Sequence, residues 1–360
     1  MPHSTTKREF WRGKRVLVTG HTGFKGSWLS LWLEDLGAEV TGYALAPPTE
    51  PNLFTLAEVE RNIRSFRGDI RDLERLSQVV VSSAPEIIFH LAAQPIVRES
   101  FRDPVGTYAT NVLGTVHLLE SARNASSVRA IVIVTSDKCY APQFDSLGYR
   151  ETDPLGGDDP YSNSKGCAEL VTAAYRHSYF KNGPAVASAR AGNVIGGGDW
   201  AADRLLPDFI RAASAGVPVR IRNTEAVRPW QHVIEPLSGY LLLAEKLFTE
   251  GHAFAEPWNF GPAEDDAIAV WRVIERAVEF WGEGASWQRD EGTHPSETKT
   301  LRLNCTKSQD RLGWHPLTNV ETALRWTVDW YKRVQQGENP RTLTLRQIGD
   351  YARTLRDRSD

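Results

Sequence analysis

Arg15-Val-Leu-Val-Thr-Gly20-His-Thr-Gly23-Phe-Lys-Gly26 decides the fold of this chain. The apolar run Val16 to Val18 reads as a buried strand. Glycines follow at 20, 23 and 26, then Ser27-Trp-Leu-Ser-Leu-Trp-Leu33, an apolar-rich helix ending near Gly37. Strand, glycine turn and helix are the context that a dinucleotide-binding fingerprint requires. Glycines permit the tight turn and a close backbone approach to a pyrophosphate. The helix N-terminus supplies free amide donors and the positive end of a dipole. The competing explanation, a glycine turn that only packs helix on strand, is weakened because the segment opens an alternating strand-helix chain.

Working outward, apolar strand candidates lie at 15–19, 39–43, 63–67, 87–90, 130–135 and 185–190. Helical stretches at 25–36, 71–83, 105–123 and 161–180 separate most of them. This alternation predicts an α/β fold, a doubly wound parallel Rossmann sheet with helices on both faces. Beyond Gly192 the elements shorten (203–215, 235–249, 268–281, 319–336) and Gly, Pro and Trp punctuate them. The division is therefore residues 12–192 as a nucleotide-binding domain and 193–336 mainly as a smaller C-terminal α/β domain over the strand ends, with some exchange of segments. Residues 337–360 form a polar extension, read either as a partly ordered helix or as a segment packing on a neighbour. Met1 to Arg12 is polar and expected to fray.

Tyr161-Ser-Asn-Ser-Lys165 places a phenol and an ammonium one helical turn apart on one face. A fixed cation favours phenolate, so the spacing predicts a tyrosine pKa lowered from about 10 toward neutrality. Such a tyrosine takes a proton from a hydroxyl whose carbon is being oxidised. Alone the pair is weak, since chance pairs occur on many solvated helix faces. A second polar block follows a buried strand: Val132-Ile-Val-Thr135-Ser136-Asp137-Lys138-Cys139-Tyr140. A surface ion pair is the bland reading of Asp137 and Lys138. Strand C-termini of such sheets form the ligand crevice, which favours a site.

Together these segments resemble the extended short-chain dehydrogenase/reductase family over roughly residues 12–332. His90-Leu91-Ala92-Ala93-Gln94 looks like its cofactor-side loop, and Asn111-Val-Leu-Gly-Thr115 like its helix with a buried asparagine. Ala189-Arg190-Ala-Gly-Asn193 looks like the segment joining cofactor to sugar nucleotide. Arg228-Pro-Trp-Gln-His232-Val and Asn259-Phe-Gly-Pro262 match C-terminal signatures. The resemblance implies cofactor contacts from Gly20, Thr22, Gly23, Phe24, Lys25 and Gly26. It adds Asp69 and Ile70 near the adenine, the loop Leu91 to Gln94, Thr135, Tyr161, Lys165 and Arg190. Ser136 takes the place of the family's catalytic serine or threonine. Asp137 and Lys138 take that of the acid/base pair of the sugar-nucleotide 4,6-dehydratase branch. That pair is commonly Asp-Glu; Asp-Lys resembles members acting on CDP-glucose. Gln94, Ser136, Asn193, Arg204 and Arg228 are the implied substrate contacts, the last three toward the diphosphate.

The implied chemistry has three stages. Tyr161 removes the O4 proton as C4 is oxidised, with Ser136 bonded to O4. Elimination of water across C5 and C6 follows, with Asp137 as acid. Reduction at C6 completes a CDP-4-keto-6-deoxyhexose. Lys138 serves as the C5 base only if its pKa falls well below about 10.4. A 4-epimerase or reductase on the same scaffold would share Tyr161 and Lys165 but need no pair at 137 and 138. A non-catalytic dinucleotide sensor would ordinarily lose the tyrosine or the lysine.

The cofactor end is ambiguous from its residues. No carboxylate stands in Gly42-Tyr-Ala-Leu-Ala-Pro-Pro-Thr49 to hold a ribose, and no Arg or Lys to hold an extra phosphate. NAD and NADP both stay open there; the resemblance implies NAD. His21 and Lys25 are bulky for such a turn and bear on cofactor affinity.

Composition excludes more than it selects. The net charge of −3 gives no general basic field for nucleic acid. No apolar stretch is long enough to cross a membrane. Cys139, Cys167 and Cys305 show no metal spacing, suit a reducing compartment, and are read as inert thiols; no metal is expected. Without a visible signal peptide, the chain is read as cytoplasmic. Trp28, Trp32, Trp271, Trp281, Trp326 and Trp330 are assigned to packing, and His232 and His294 to structure. Family members pair through helices that would be 105–123 and 161–180, so a homodimer or homotetramer is expected.

Overall fold

In the computed structural model, which describes residues 8–142, 148–292 and 301–357, the apolar runs form one sheet. Its strands are β1 (Arg15–Thr19), β2 (Glu39–Ala44), β3 (Arg64–Arg67), β4 (Ile87–His90), β5 (Ala130–Val134), β6 (Ala185–Arg190) and β7 (Pro257–Asn259). Their spatial order is β7-β6-β5-β4-β1-β2-β3, and every pairing is parallel. Thr19 at the end of β1 pairs with Tyr43 on one side and with His90 on the other. The strand order reverses between β1 and β4, so the connections there leave in opposite directions and open a crevice. β4 and β5 are buried along their whole length, as expected where helices cover both faces. β7 is not legible in the sequence: three residues beginning with proline carry no periodicity.

The helices on the first half include α1 (Phe24–Asp35), α2 (Leu73–Ser83), α3 (Pro104–Tyr108), α4 (Gly114–Arg123) and α5 (Pro160–Ser178), with shorter ones at Leu53–Leu56 and Val97–Arg102. A π-turn at Ala109–Leu113 joins α3 to α4. Asp-Pro sets the start of both α3 and α5. Asp103 and Asp159 accept from the amides of Gly106 and Ser162, while Pro104 and Pro160 occupy first-turn positions where no amide donor is needed. The second start fixes Tyr161 in the first turn of α5. Beyond Gly192 come α6 (Leu205–Ser214), α7 (Ile234–Glu250), α8 (Val270–Trp281) and α9 (Val320–Gln335), with three two-stranded sheets. α7 packs on β5 and β6, so residues 234–259 return to the first layer.

Both ends of the described chain are better ordered than their polarity suggested. Residues 8–11 form a helical turn rather than a frayed end. Trp11 is fully buried, and its indole donates to Glu245 Oε1 at 2.6 Å. Residues 340–357 form α10 (Pro340–Asp357), which packs on α1 of the same chain. Tyr351 meets Trp32 edge-on at 5.9 Å, and Arg341 pairs with Glu34. α10 on one side and the sheet on the other bury residues 26–33 of α1 completely, which is why this helix is apolar all round. The Tyr351 hydroxyl donates to Glu235 Oε2 at 2.7 Å. Burial pushes that carboxyl up to about 7, against donors from Thr318, Tyr351 and Leu317.

Trp28, Trp32 and Trp330 are interior, and His232 is wedged edge-on between Trp28 and Trp326. His294 lies outside the described residues.

Candidate active site

A cleft of about 1730 Å3 opens at the C-terminal ends of the strands. Its floor is the glycine turn, where Gly20, Thr22, Gly23, Phe24, Lys25 and Gly26 line it. A Cβ at 26 would stand 2.1 Å from the Gly20 carbonyl oxygen, so only glycine fits. Gly23 caps α1 without a side-chain acceptor, which leaves the helix N-terminus able to receive a pyrophosphate. Asp69 and Ile70 border the cleft beyond β3, and Leu91, Ala92 and Ala93 beyond β4. Asp69 spends its carboxylate on Arg71, which holds it below the usual range. These residues fit a dinucleotide lying across the β1–β4 crevice.

Thr135, Ser136, Asp137 and Lys138 leave the end of β5 and enter the same cleft as Tyr161 and Lys165 from α5. Ser136 donates to Asp137 Oδ1 at 3.0 Å and accepts from the Lys138 amide at 3.2 Å. Asp137 is buried, and its Oδ2 has no hydrogen-bond partner among the described residues. Burial raises its pKa; Lys138, Ser136, Arg228 and Lys25 oppose the shift. A cleft-lining carboxyl with a raised pKa and one uncommitted oxygen is suited to giving up a proton.

Tyr161 departs from the simple expectation. Burial raises its pKa to about 12, and Ser136 works against this. Lys165 does not lower it: its ammonium donates to the Val134 carbonyl at 3.4 Å, and burial lowers its own pKa to about 8. Spacing reveals a shared helix face but not the desolvation of both groups. Lys25 is also depressed, to about 7, by burial and then by Arg204 and Lys165.

Two of the expected residues stand outside the cleft lining. Arg190 does not line the cleft; its guanidinium is buried behind it, on Glu169, Tyr140 and the Glu151 carbonyl. Strand residues two apart share a face, so Arg190 follows Ser188 toward α5. Gln94 also turns away, its amide bonded to the Ile96 backbone and the Thr107 hydroxyl. His21 packs under β2, its Nε2 2.7 Å from Ser65 Oγ, and burial lowers its pKa to about 4.

Asn193, Arg204 and Arg228 line the far wall. Arg204 is paired with Asp199 at 2.9 Å. Sequence reading missed Asp199 and a bridge across the mouth, where Arg98 and Arg222 each reach Asp203 Oδ1 at 3.2 Å. The triplet Gly196-Gly-Gly198, which opens this loop, was the available signal.

A model of the family described as GDP-mannose 4,6 dehydratase matches residues 17–327. The chain is 51% identical over 350 residues to a CDP-glucose 4,6-dehydratase of Salmonella typhimurium, covering 96% of this chain and 98% of that one. It is 27% identical to a dTDP-glucose 4,6-dehydratase of Xanthomonas campestris, over 92% and 98% of the two chains. Among solved structures, the Thermus thermophilus UDP-glucose 4-epimerase in complex with NAD superposes with a TM-score of 0.75 at 26% identity, over 88% and 98%.

Proposed function

The chain belongs to the GDP-mannose 4,6-dehydratase family of short-chain dehydrogenase/reductase proteins, and from that membership we propose that it is an NAD-dependent CDP-glucose 4,6-dehydratase. The observation that carries this reading is the convergence of two proton-handling sets in one cleft: Tyr161 and Lys165 from α5, and Ser136, Asp137 and Lys138 from the end of β5. The 51% identity to the Salmonella typhimurium enzyme supports CDP-glucose as substrate.

NAD, which the glycine turn from Gly20 to Gly26 would hold, would supply the hydride acceptor for C4 and the hydride donor for C6. Ser136 donates to O4 and orients it. Tyr161 takes the O4 proton. Burial raises its own pKa and Ser136 and Arg204 oppose that rise; Lys165, one turn along α5, is assigned as the cation that favours phenolate once O4 is bound. The resulting 4-keto group acidifies the C5 proton, and Lys138, at the end of β5 in the same cleft, is the group placed to receive it. Asp137, whose pKa burial raises, is assigned as the acid that gives its proton to O6, which leaves as water. Arg204 and Arg228 hold the diphosphate and anchor the sugar between the two sets. Exposed Val105, Leu113 and Leu170 on the α3–α4 and α5 surfaces support pairing of two chains there.

Deuterium placed at C4 of CDP-glucose tests the reaction class. The label appears at C6 of the product, unlabelled substrate gains one deuteron at C5 in deuterium oxide, and no net reduced cofactor accumulates. Label returned to C4 with C5 unexchanged would make the chain an epimerase.

A further inference from the structure

Behind the proton-transfer pair lies a buried ion pair that the chemistry above does not use. Glu169 sits one helical turn beyond Lys165 on α5 and is 4% exposed. Its Oε1 accepts from the Thr135 hydroxyl at 2.5 Å, and its Oε2 from Ser188 at 2.6 Å and Arg190 at 2.8 Å. Arg190 also donates to the Tyr140 hydroxyl at 2.8 Å, and that hydroxyl donates to Asn259 on β7 at 2.7 Å. One carboxylate thus ties the helix carrying Tyr161 and Lys165 to β6 and to the residue immediately before Ser136. A pair serving stability alone could join any two elements. This one joins α5 to β6, and the same carboxylate, through Thr135, holds α5 against the segment that carries Ser136, whose separation from α5 sets the distance from Tyr161 to Ser136.

We propose that Glu169 is a positioning residue for the proton-transfer centre: it fixes α5 against the ends of β5 and β6 and places a permanent negative charge behind Lys165. This rests on the reading of Tyr161 and Lys165 given above.

The charges around Lys165 agree. It is faced by His90 from β4, Lys25 from α1 and Cys139 from the turn after β5, with Tyr161 and Glu169 on its own helix. Burial lowers His90 to about 3 and raises Cys139, so imidazole and thiol are both neutral near pH 7. Asp137 acts on Lys25. Burial works to raise Glu169, but Arg190, Ser188 and Thr135 prevail and hold it ionised. Glu169 is therefore the anion that opposes the desolvation of Lys165.

Removing one partner of a buried pair strands the other charge. The main variant is therefore Glu169→Gln/Arg190→Gln, which deletes both charges. The second is Ser188→Ala, which deletes one donor to the carboxylate and lies off the cleft. The full chain with NAD and CDP-glucose is used, and Tyr161→Phe is run in parallel. In the double variant kcat falls on the order of 10–100-fold, while KM stays within about threefold. The pH midpoint for trace acylation of Lys165 by acetic anhydride drops by about one unit. Ser188→Ala lowers kcat several-fold at unchanged KM. Wild-type kcat and an unmoved Lys165 midpoint in the folded variants would overturn the proposal. If the double variant does not melt cooperatively, Ser188→Ala decides alone. Retained turnover in Tyr161→Phe would instead sink the site reading, whatever the Glu169 variants do.

Discussion

Gly192→Ala moves the proposed acid without altering its chemistry. A Cβ at 192 would stand 2.0 Å from Asp137 Oδ2 and 2.6 Å from its Cγ, whereas ordinary contact begins at 3.4 Å. The obstacle is the far end of one side chain, so the carboxylate swings aside by at least about 1 Å and the backbone stays in place. Overpacking of this kind costs about 1–3 kcal/mol of stability. A displacement of about 1 Å at a reacting group costs on the order of 100-fold in rate. The loss falls on elimination, since Tyr161 keeps its place on α5. Single-turnover mixing with CDP-glucose then shows bound reduced nicotinamide building up in the near-ultraviolet, where the unsubstituted chain shows little. Gly192→Ala/Asp137→Asn is no slower than Asp137→Asn alone, because both changes act through one carboxyl. Turnover within about threefold of the unsubstituted chain, or oxidation and elimination falling together, would refute the assignment of Asp137.

Tyr161→Phe keeps the fold and loses roughly two to four orders of magnitude in kcat; a steady-state assay of the 4-keto product in alkali checks it. Lys165 is needed as a cation and is lowered by burial to about 8, so its charge is present below that pH and lost above it. The pH profile of kcat/KM therefore declines with a midpoint near 8 on the basic side, and a flat profile to pH 10 would contradict this. Tyr351→Phe removes a buried hydroxyl shared with Glu235 and Ser238 at 2.7 and 2.9 Å. It costs about 1–3 kcal/mol, seen as a lower Tm with unchanged kcat at low temperature.

Five of the six longer strands were legible because each carries apolar residues bounded by glycine, proline or charge, while β3, Arg-Ser-Phe-Arg, fitted only by its place in the alternation with helices that implied the parallel order. β7 was not, because three residues beginning with proline look like loop until a neighbour pairs with them. The site turn was legible as a block, since a strand end carrying Ser136, Asp137 and Lys138 has few other uses. The side on which Arg190 lies, behind the cleft, was not legible because a motif gives adjacency along the chain, not the face of the strand. The Tyr161 shift was misjudged for a related reason: spacing exposes the neighbour one turn away, while the burial that raises the pKa depends on the whole packed environment, with Arg204, 43 positions on, working against it. Asp199 and Asp203 belong to a loop whose shape comes from glycines, and nothing periodic marks them.

The cover that α10 places over α1 has a consequence for biosynthesis. α1 carries the cofactor turn at its start, yet its outer apolar face is closed by residues translated about 300 positions later. At about 5–20 residues per second the ribosome takes roughly 15–60 s to bridge that gap. Throughout it Trp32 and its neighbours are without the ring of Tyr351, and the nascent chain presents an oily helix to whatever is nearby. The first-made Rossmann half thus keeps that face uncovered until its last partner emerges, and the helix that carries the cofactor turn is completed late although its sequence comes early.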